Sequence, residues 1–153
     1  MSTNTTNRAE TWPPPAADPR DEVLREHAER LLRMSPKCLV LVIDDDEGIR
    51  TTLAEVLEMS GYQVATAADG LEGVELLEVG LEPKAIVLDL VMPRMDGWSF
   101  LKRLRADPRF QELPVVVTSS VVDGHLPDGA DACLQKPFAL EDLDHEMTRF
   151  CSH

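Results

Sequence analysis

The chain has 153 residues, 43% of them hydrophobic and 28% charged, and a formal net charge of −13. That size and mixture suit one folded domain with a modest extension, and they exclude a chain that is disordered throughout. The excess of acid makes nucleic acid a poor partner, because phosphate contacts need clustered Lys and Arg, and it favours basic partners and divalent cations.

Residues 1–20, "MSTNTTNRAETWPPPAADPR", read as a disordered leader, polar and then proline-rich, in which the prolines after Trp12 act as a stiff linker. Residues 21–36 read as an amphipathic helix and its stop. Leu24, Ala28, Leu31 and Leu32 recur at helical spacing, and Ser35-Pro36 ends the run. Such a stripe must cover something, either its own domain or a second copy, so a homodimer through residues 21–34 is one expectation. The N-terminus has no secretory pattern, and the longest apolar run, "CLVLVI" at 38–43, is too short to span a bilayer. Cys38, Cys133 and Cys151 are odd in number and lack metal-type spacing, which points to a reducing cytoplasm.

From Lys37 to about residue 150 the pattern alternates. Apolar runs at 39–43, 63–67, 85–90, 115–118 and 132–135 predict strands covered on both faces. Helical stripes lie between them. Ile49, Leu53, Val56 and Leu57 form one, closed by Gly61; Leu71, Val74, Leu76 and Leu77 form the next, ending near Gly80 and Pro83. Trp98, Leu101 and Leu104 form a third, interrupted by Pro108, and Ala139, Leu140, Leu143 and Met147 form the last. Alternation of this kind predicts an α/β fold with a doubly wound, five-stranded parallel sheet of the flavodoxin-like type.

Ligands of such sheets collect beyond the carboxyl ends of the strands. Asp44 and Asp45 follow the first strand, Asp89 ends the third, Thr118 closes the fourth, and Lys136 follows the fifth. One polar residue at a strand end means little, but four strands converging is hard to explain as solvation. Two carboxylates about 4 Å apart, at an effective dielectric near 20, repel by roughly 4 kcal/mol. A site holding three of them therefore protonates one or binds a cation. Oxygen ligands without clustered His or Cys suit Mg²⁺, or Mn²⁺ in its place. Asp46 reads instead as the N-cap of the helix beginning at "EGIRTTL".

"VLVIDDDEGIR", "IVLDLVMPRMDGW", "PVVVTSS" and "CLQKPF" together resemble the receiver domain of bacterial response regulators, over roughly residues 37–150. The resemblance implies that Asp89 is the phosphoacceptor, taking a phosphoryl group from the phosphohistidine of a histidine kinase or a histidine phosphotransfer protein. It implies that Asp44, Asp45, Asp89 and the backbone carbonyl of Val91 hold Mg²⁺. Lys136 would pair with the phosphoryl oxygens, and Thr118 would donate its hydroxyl to one of them. The Lys136-Pro137 bond is cis in many members. On this reading the protein is a stand-alone phosphorylation switch rather than an enzyme, assisting its own phosphorylation and dephosphorylation. It signals by binding a downstream partner or by relaying phosphate onward.

Two features depart from the family pattern. The interval between Thr118 and Lys136 is several residues short, and "SSVVDGHLPDGADACLQ" shows no helical stripe, so the fourth helix reads as shortened or absent. Cys133 stands where most members carry Tyr or Phe, a ring thought to turn inward when the Thr or Ser engages phosphate. Cys133 and the short 119–135 segment put the usual output switch in question, and the helix of residues 21–34 is expected to compensate for lost cover. Two alternatives stand beside the receiver: a haloacid-dehalogenase-like phosphatase with Asp44 as nucleophile and Asp46 as general acid, and a pseudo-receiver that binds partners without phosphate.

Overall fold

Five short strands, the three central ones apolar enough to be buried on both faces, hydrogen-bond in parallel into one sheet. They are β1 (Leu39–Ile43), β2 (Gln63–Ala67), β3 (Ala85–Asp89), β4 (Val115–Ser119) and β5 (Ala132–Gln135). Their order is β2-β1-β3-β4-β5, so strand order reverses beside β1 and β3. The computed structural model describes residues 22–26, 38–120 and 125–151. Four α-helices alternate with the strands: α1 (Glu47–Met59), α2 (Gly70–Glu78), α3 (Gly97–Ala106) and α4 (Leu140–Cys151).

The two-residue period of the strands divides the core in two. Leu41, Ile43, Ile86, Leu88, Val115 and Val117 face one side, where they pack with Leu77 of α2 and with Phe100, Leu101 and Leu104 of α3. Val40, Val42, Ala85, Val87 and Val116 face the other, against Leu53 and Leu57 of α1 and Leu143 and Met147 of α4. Each fully buried Leu, Val or Phe side chain contributes roughly 1.5–3 kcal/mol. A one-residue slip of any central strand would exchange the two faces, so the register is firmly set. That register places Ile43 opposite Leu88 and Asp89 opposite Thr118.

The helix ends follow from local chemistry. Asp46 caps α1, accepting the Ile49 N–H at 3.1 Å, as expected. Gly61, at φ 100°, lets the chain turn back so that the Tyr62 N–H reaches the Leu57 carbonyl at 3.1 Å. Asp96 caps α3 through the Ser99 N–H at 2.8 Å.

Several expectations are corrected. The buried stripe of α3 is Gly97, Phe100, Leu101 and Leu104, whereas Trp98 is 47% exposed. In α4 the stripe runs through Leu143, Met147 and Cys151, and Leu140 lies outside the core. Strands β2 and β5 are the sheet edges, with only Ala67 and only Ala132 buried, so neither is covered on both faces. Cys38 and Cys151 are joined in a disulfide, tying the residue before β1 to the end of α4, and only Cys133 is a free thiol. The cysteines therefore lend no support to a reducing compartment.

Among the described residues, no helix lies between β4 and β5, as expected. Arg105 of α3 holds this connection. Its Nε donates to the Gly129 carbonyl at 2.9 Å, its Nη1 to the carbonyls of Phe110 and Gln111 at 2.8 and 3.1 Å, and its Nη2 to Asp131 Oδ2 at 3.1 Å. The same Asp131 oxygen accepts the Val115 N–H at 2.8 Å, fixing the loop to the start of β4. Residues 22–26 are helical and exposed; the rest of the Leu24, Ala28, Leu31 and Leu32 stripe lies outside the described residues.

Candidate functional site

Because β1 and β3 are neighbours in register, the residues just past their ends meet. Asp44 is 1% exposed and Asp89 7% exposed, while Asp45 is exposed at the rim. One carboxylate oxygen from each of Asp44, Asp45 and Asp89 lies within 4.8 Å of the others. Lys136, carried past the end of β5, brings its Nζ to 3.2 Å from Asp44 Oδ2 and 3.4 Å from Asp89 Oδ1. Its own N–H donates to the Ser119 carbonyl at 2.9 Å, and the Lys136-Pro137 bond is cis.

Asp44 is held on three sides. Its Oδ1 accepts the Asp46 N–H at 2.9 Å, its Oδ2 takes Lys136, and its backbone carbonyl accepts from Arg50 Nη1 at 2.7 Å. Thr118 is fully buried beside Asp89 in the sheet, and its hydroxyl oxygen has no hydrogen-bond partner. A buried hydroxyl left without a partner costs about 1–3 kcal/mol. The residue just after β3 is buried as well: Leu90, whose N–H donates to the Thr118 carbonyl at 3.3 Å. Val91 then opens the β3–α3 connection with its side chain 54% exposed.

The electrostatics are those of a crowded anion. Burial, then the charge of Asp44, pushes the Asp89 carboxyl up to about 6, against the opposing pull of Lys136. Burial alone would lower the pKa of Lys136; the charges of Asp44 and Asp89 outweigh it and shift the ammonium upward. The one ammonium pairs with two of the three carboxylates, so a divalent cation would relieve the remaining repulsion. The donor set, all oxygen and partly open to solvent at Asp45, fits Mg²⁺.

The sequence matches the family model of the response regulator receiver domain over residues 40–148. The chain belongs to that family. It is 40% identical over 111 residues to the DNA-binding dual master transcriptional regulator RpaA of Synechocystis, a match covering 68% of this chain and 45% of RpaA. The receiver thus spans about half the length of the curated relatives it matches. Among solved structures, the receiver domain of a Francisella response regulator is 31% identical, with a TM-score of 0.70, over 75% of this chain and 97% of that one. The receiver domain of a sensor histidine kinase from Pseudomonas aeruginosa PAO1 is 26% identical, with a TM-score of 0.70, over 76% and 98%. That protein has a magnesium ion coordinated in its active-site cleft.

Asp44, Asp45, Asp89, Thr118 and Lys136 therefore gather at one end of the receiver's sheet, with Val91 on the adjoining loop. The phosphatase alternative fares badly in this arrangement. Both Asp44 oxygens are engaged, and Asp46 serves as a helix cap. Sequence reasoning passes over Arg50, Asp69 and Arg94. For Asp69 the signal was Asp-x-x-Glu at 69–72, a capping pattern, and Glu72 does accept the Ala68 N–H at 3.1 Å. Arg94 carries no local signal beyond its charge. Among the described residues no helix is long and apolar enough to cross a membrane.

Proposed function

We propose that this receiver is a phosphorylation switch in two-component signalling, with Asp89 as the phosphoacceptor. The arrangement that carries the reading is Lys136 bridging Asp44 and Asp89 beside the unpartnered hydroxyl of Thr118. A carboxylate oxygen of Asp89 attacks the phosphorus of a phosphohistidine on a histidine kinase or histidine phosphotransfer protein. The N–P bond breaks, the imidazole leaves, and an aspartyl phosphate forms. Lys136 lies where it can pair with the equatorial oxygens as charge builds on them. Thr118 has a hydroxyl proton to donate to one of those oxygens, which would satisfy the group that folding leaves without a partner.

Asp44, Asp45, Asp89 and the Val91 carbonyl would hold Mg²⁺ or Mn²⁺, which when bound supplies charge stabilisation to the transferring phosphoryl group. The product is a labile acyl phosphate, suited to a switch that resets by hydrolysis or passes its phosphate to another histidine. Output is binding of a downstream protein in the phosphorylated state, biased by the new phosphoryl contacts. Localisation in the cytoplasm follows from the kinase partner rather than from the cysteines, two of which are paired.

The test is incubation with acetyl phosphate and Mg²⁺ followed by intact mass analysis. Wild type gains one phosphoryl group, and Asp89→Asn does not. A gain retained in Asp89→Asn, or absent from wild type, overturns the assignment.

A further inference from the structure

The connection between β3 and α3 holds a strained backbone position. The Met95 N–H bonds back to the Pro93 carbonyl at 2.7 Å, closing a three-residue turn centred on Arg94. Arg94 has φ 64°, the one positive value on a non-glycine residue among those described. Turns of this hand are rare and strained, and a side chain with a Cβ gains nothing from adopting one. Such a conformation persists only where its surroundings impose it.

Here the surroundings are the N-terminus of α2. Arg94 Nε donates to Asp69 Oδ2 at 2.6 Å, and Asp69 is only 4% exposed. The Gly70 N–H donates to the Met95 carbonyl at 3.3 Å, and a Cβ at Gly70 would lie 2.8 Å from that same oxygen. The turn is thus fastened to α2 by one charged bond and one backbone bond, at a closeness only glycine permits. The other end of the loop is fixed as well. The Gly97 N–H donates to the Leu90 carbonyl at 2.8 Å, and a Cβ there would lie 2.6 Å from the Asp89 carbonyl. Leu90 and Gly97 therefore close a short loop that contains Val91 and is steered from its far side by Arg94.

Helix α2 does not require this arrangement. Asp69 caps it with its other oxygen, Oδ1, which accepts the Glu72 N–H at 2.9 Å. The strained turn and the guanidinium thus serve the loop rather than the helix. We propose that Arg94 is a positioning residue: its ion pair with buried Asp69 holds the β3–α3 loop so that the Val91 carbonyl stays available to a cation at Asp44, Asp45 and Asp89. The inference rests on the metal site proposed above.

Wild type, Arg94→Gly, Arg94→Lys and Asp69→Asn are titrated with MgCl₂ by calorimetry, and each is melted in EDTA. Glycine relieves the strained φ while the ion pair to Asp69 is lost, two opposing effects, so Arg94→Gly should melt close to the wild-type temperature without metal. It should nevertheless bind Mg²⁺ about tenfold more weakly or worse, the usual cost of losing a residue that orients a ligand. Asp69→Asn should show a similar loss of affinity, and Arg94→Lys should recover part of it. Wild-type affinity in Arg94→Gly overturns the inference. So does a fall in melting temperature in EDTA that accompanies the loss of affinity, since that indicates general loosening. A wild type that binds no Mg²⁺ overturns the metal site and this inference together, whereas normal wild-type binding with an unaffected Arg94→Gly overturns this inference alone.

Discussion

Replacing Asp89 with Asn isolates the electrostatic cost of the site. In the metal-free protein burial and the neighbouring Asp44 push the Asp89 carboxyl up from 3.8 to about 6. A gap of that size sets an upper bound of about 3 kcal/mol on the native-state penalty once the group is ionised, reduced by solvent screening at the open side of the site. A raised carboxyl pKa means that the native state holds its proton longer than the unfolded chain does. Stability from this group is therefore greatest below about pH 4, falls as pH rises to about 6, and then levels off. Asn keeps the shape without the charge. At pH 8 in EDTA, Asp89→Asn should gain up to about 3 kcal/mol, or roughly 10 °C in melting temperature for a domain of this size, less whatever Lys136 loses as its partner disappears. At pH 4 the two proteins should melt nearly together, and Mg²⁺ at pH 8 should stabilise wild type more than the variant. Calorimetric scans at pH 4, 6 and 8 measure all of this. A variant less stable than wild type at pH 8, or a gain of equal size at pH 4 and pH 8, would refute the electrostatic argument.

Thr118→Val removes a buried hydroxyl that has no partner. It should raise stability by about 1 kcal/mol in denaturant titrations while slowing phosphorylation by acetyl phosphate, and a destabilised variant would contradict this account. Arg105→Ala strips two hydrogen bonds from the β4–β5 connection, to Gly129 and Asp131, and two from the segment before β4, to Phe110 and Gln111. It should cost about 2–3 kcal/mol with the phosphorylated fraction by mass unchanged. Reducing the Cys38–Cys151 bond releases a long loop and should lower stability by up to about 4 kcal/mol, read as a drop in melting temperature on adding dithiothreitol that Cys38→Ser does not show.

The central sheet was legible because β1, β3 and β4 are buried on both faces and so run apolar without interruption. Their ends mark the site, which is why Asp44, Asp89 and Thr118 could be named from sequence, and Lys136 follows the shorter run of β5. Strand β2 misled because an edge strand with threonine and alanine resembles a core strand in composition while only Ala67 is buried. In α3 the stripes through Trp98 and through Phe100 share Leu101 and Leu104, so spacing favours neither; packing of Gly97 against β3 turns Phe100 inward. Arg105–Gly129, Arg94–Asp69 and Cys38–Cys151 link positions far apart in sequence, through loops or helix ends where no periodicity exists to read.

The disulfide has a mechanical consequence. Cys38 and Cys151 bracket every strand and all four helices described above, so a pull applied to the two ends of the chain would be borne by one covalent bond instead of by the sheet's hydrogen bonds. Stretched between surfaces, the oxidised protein would gain no length from the chain between Cys38 and Cys151, which only reduction would release.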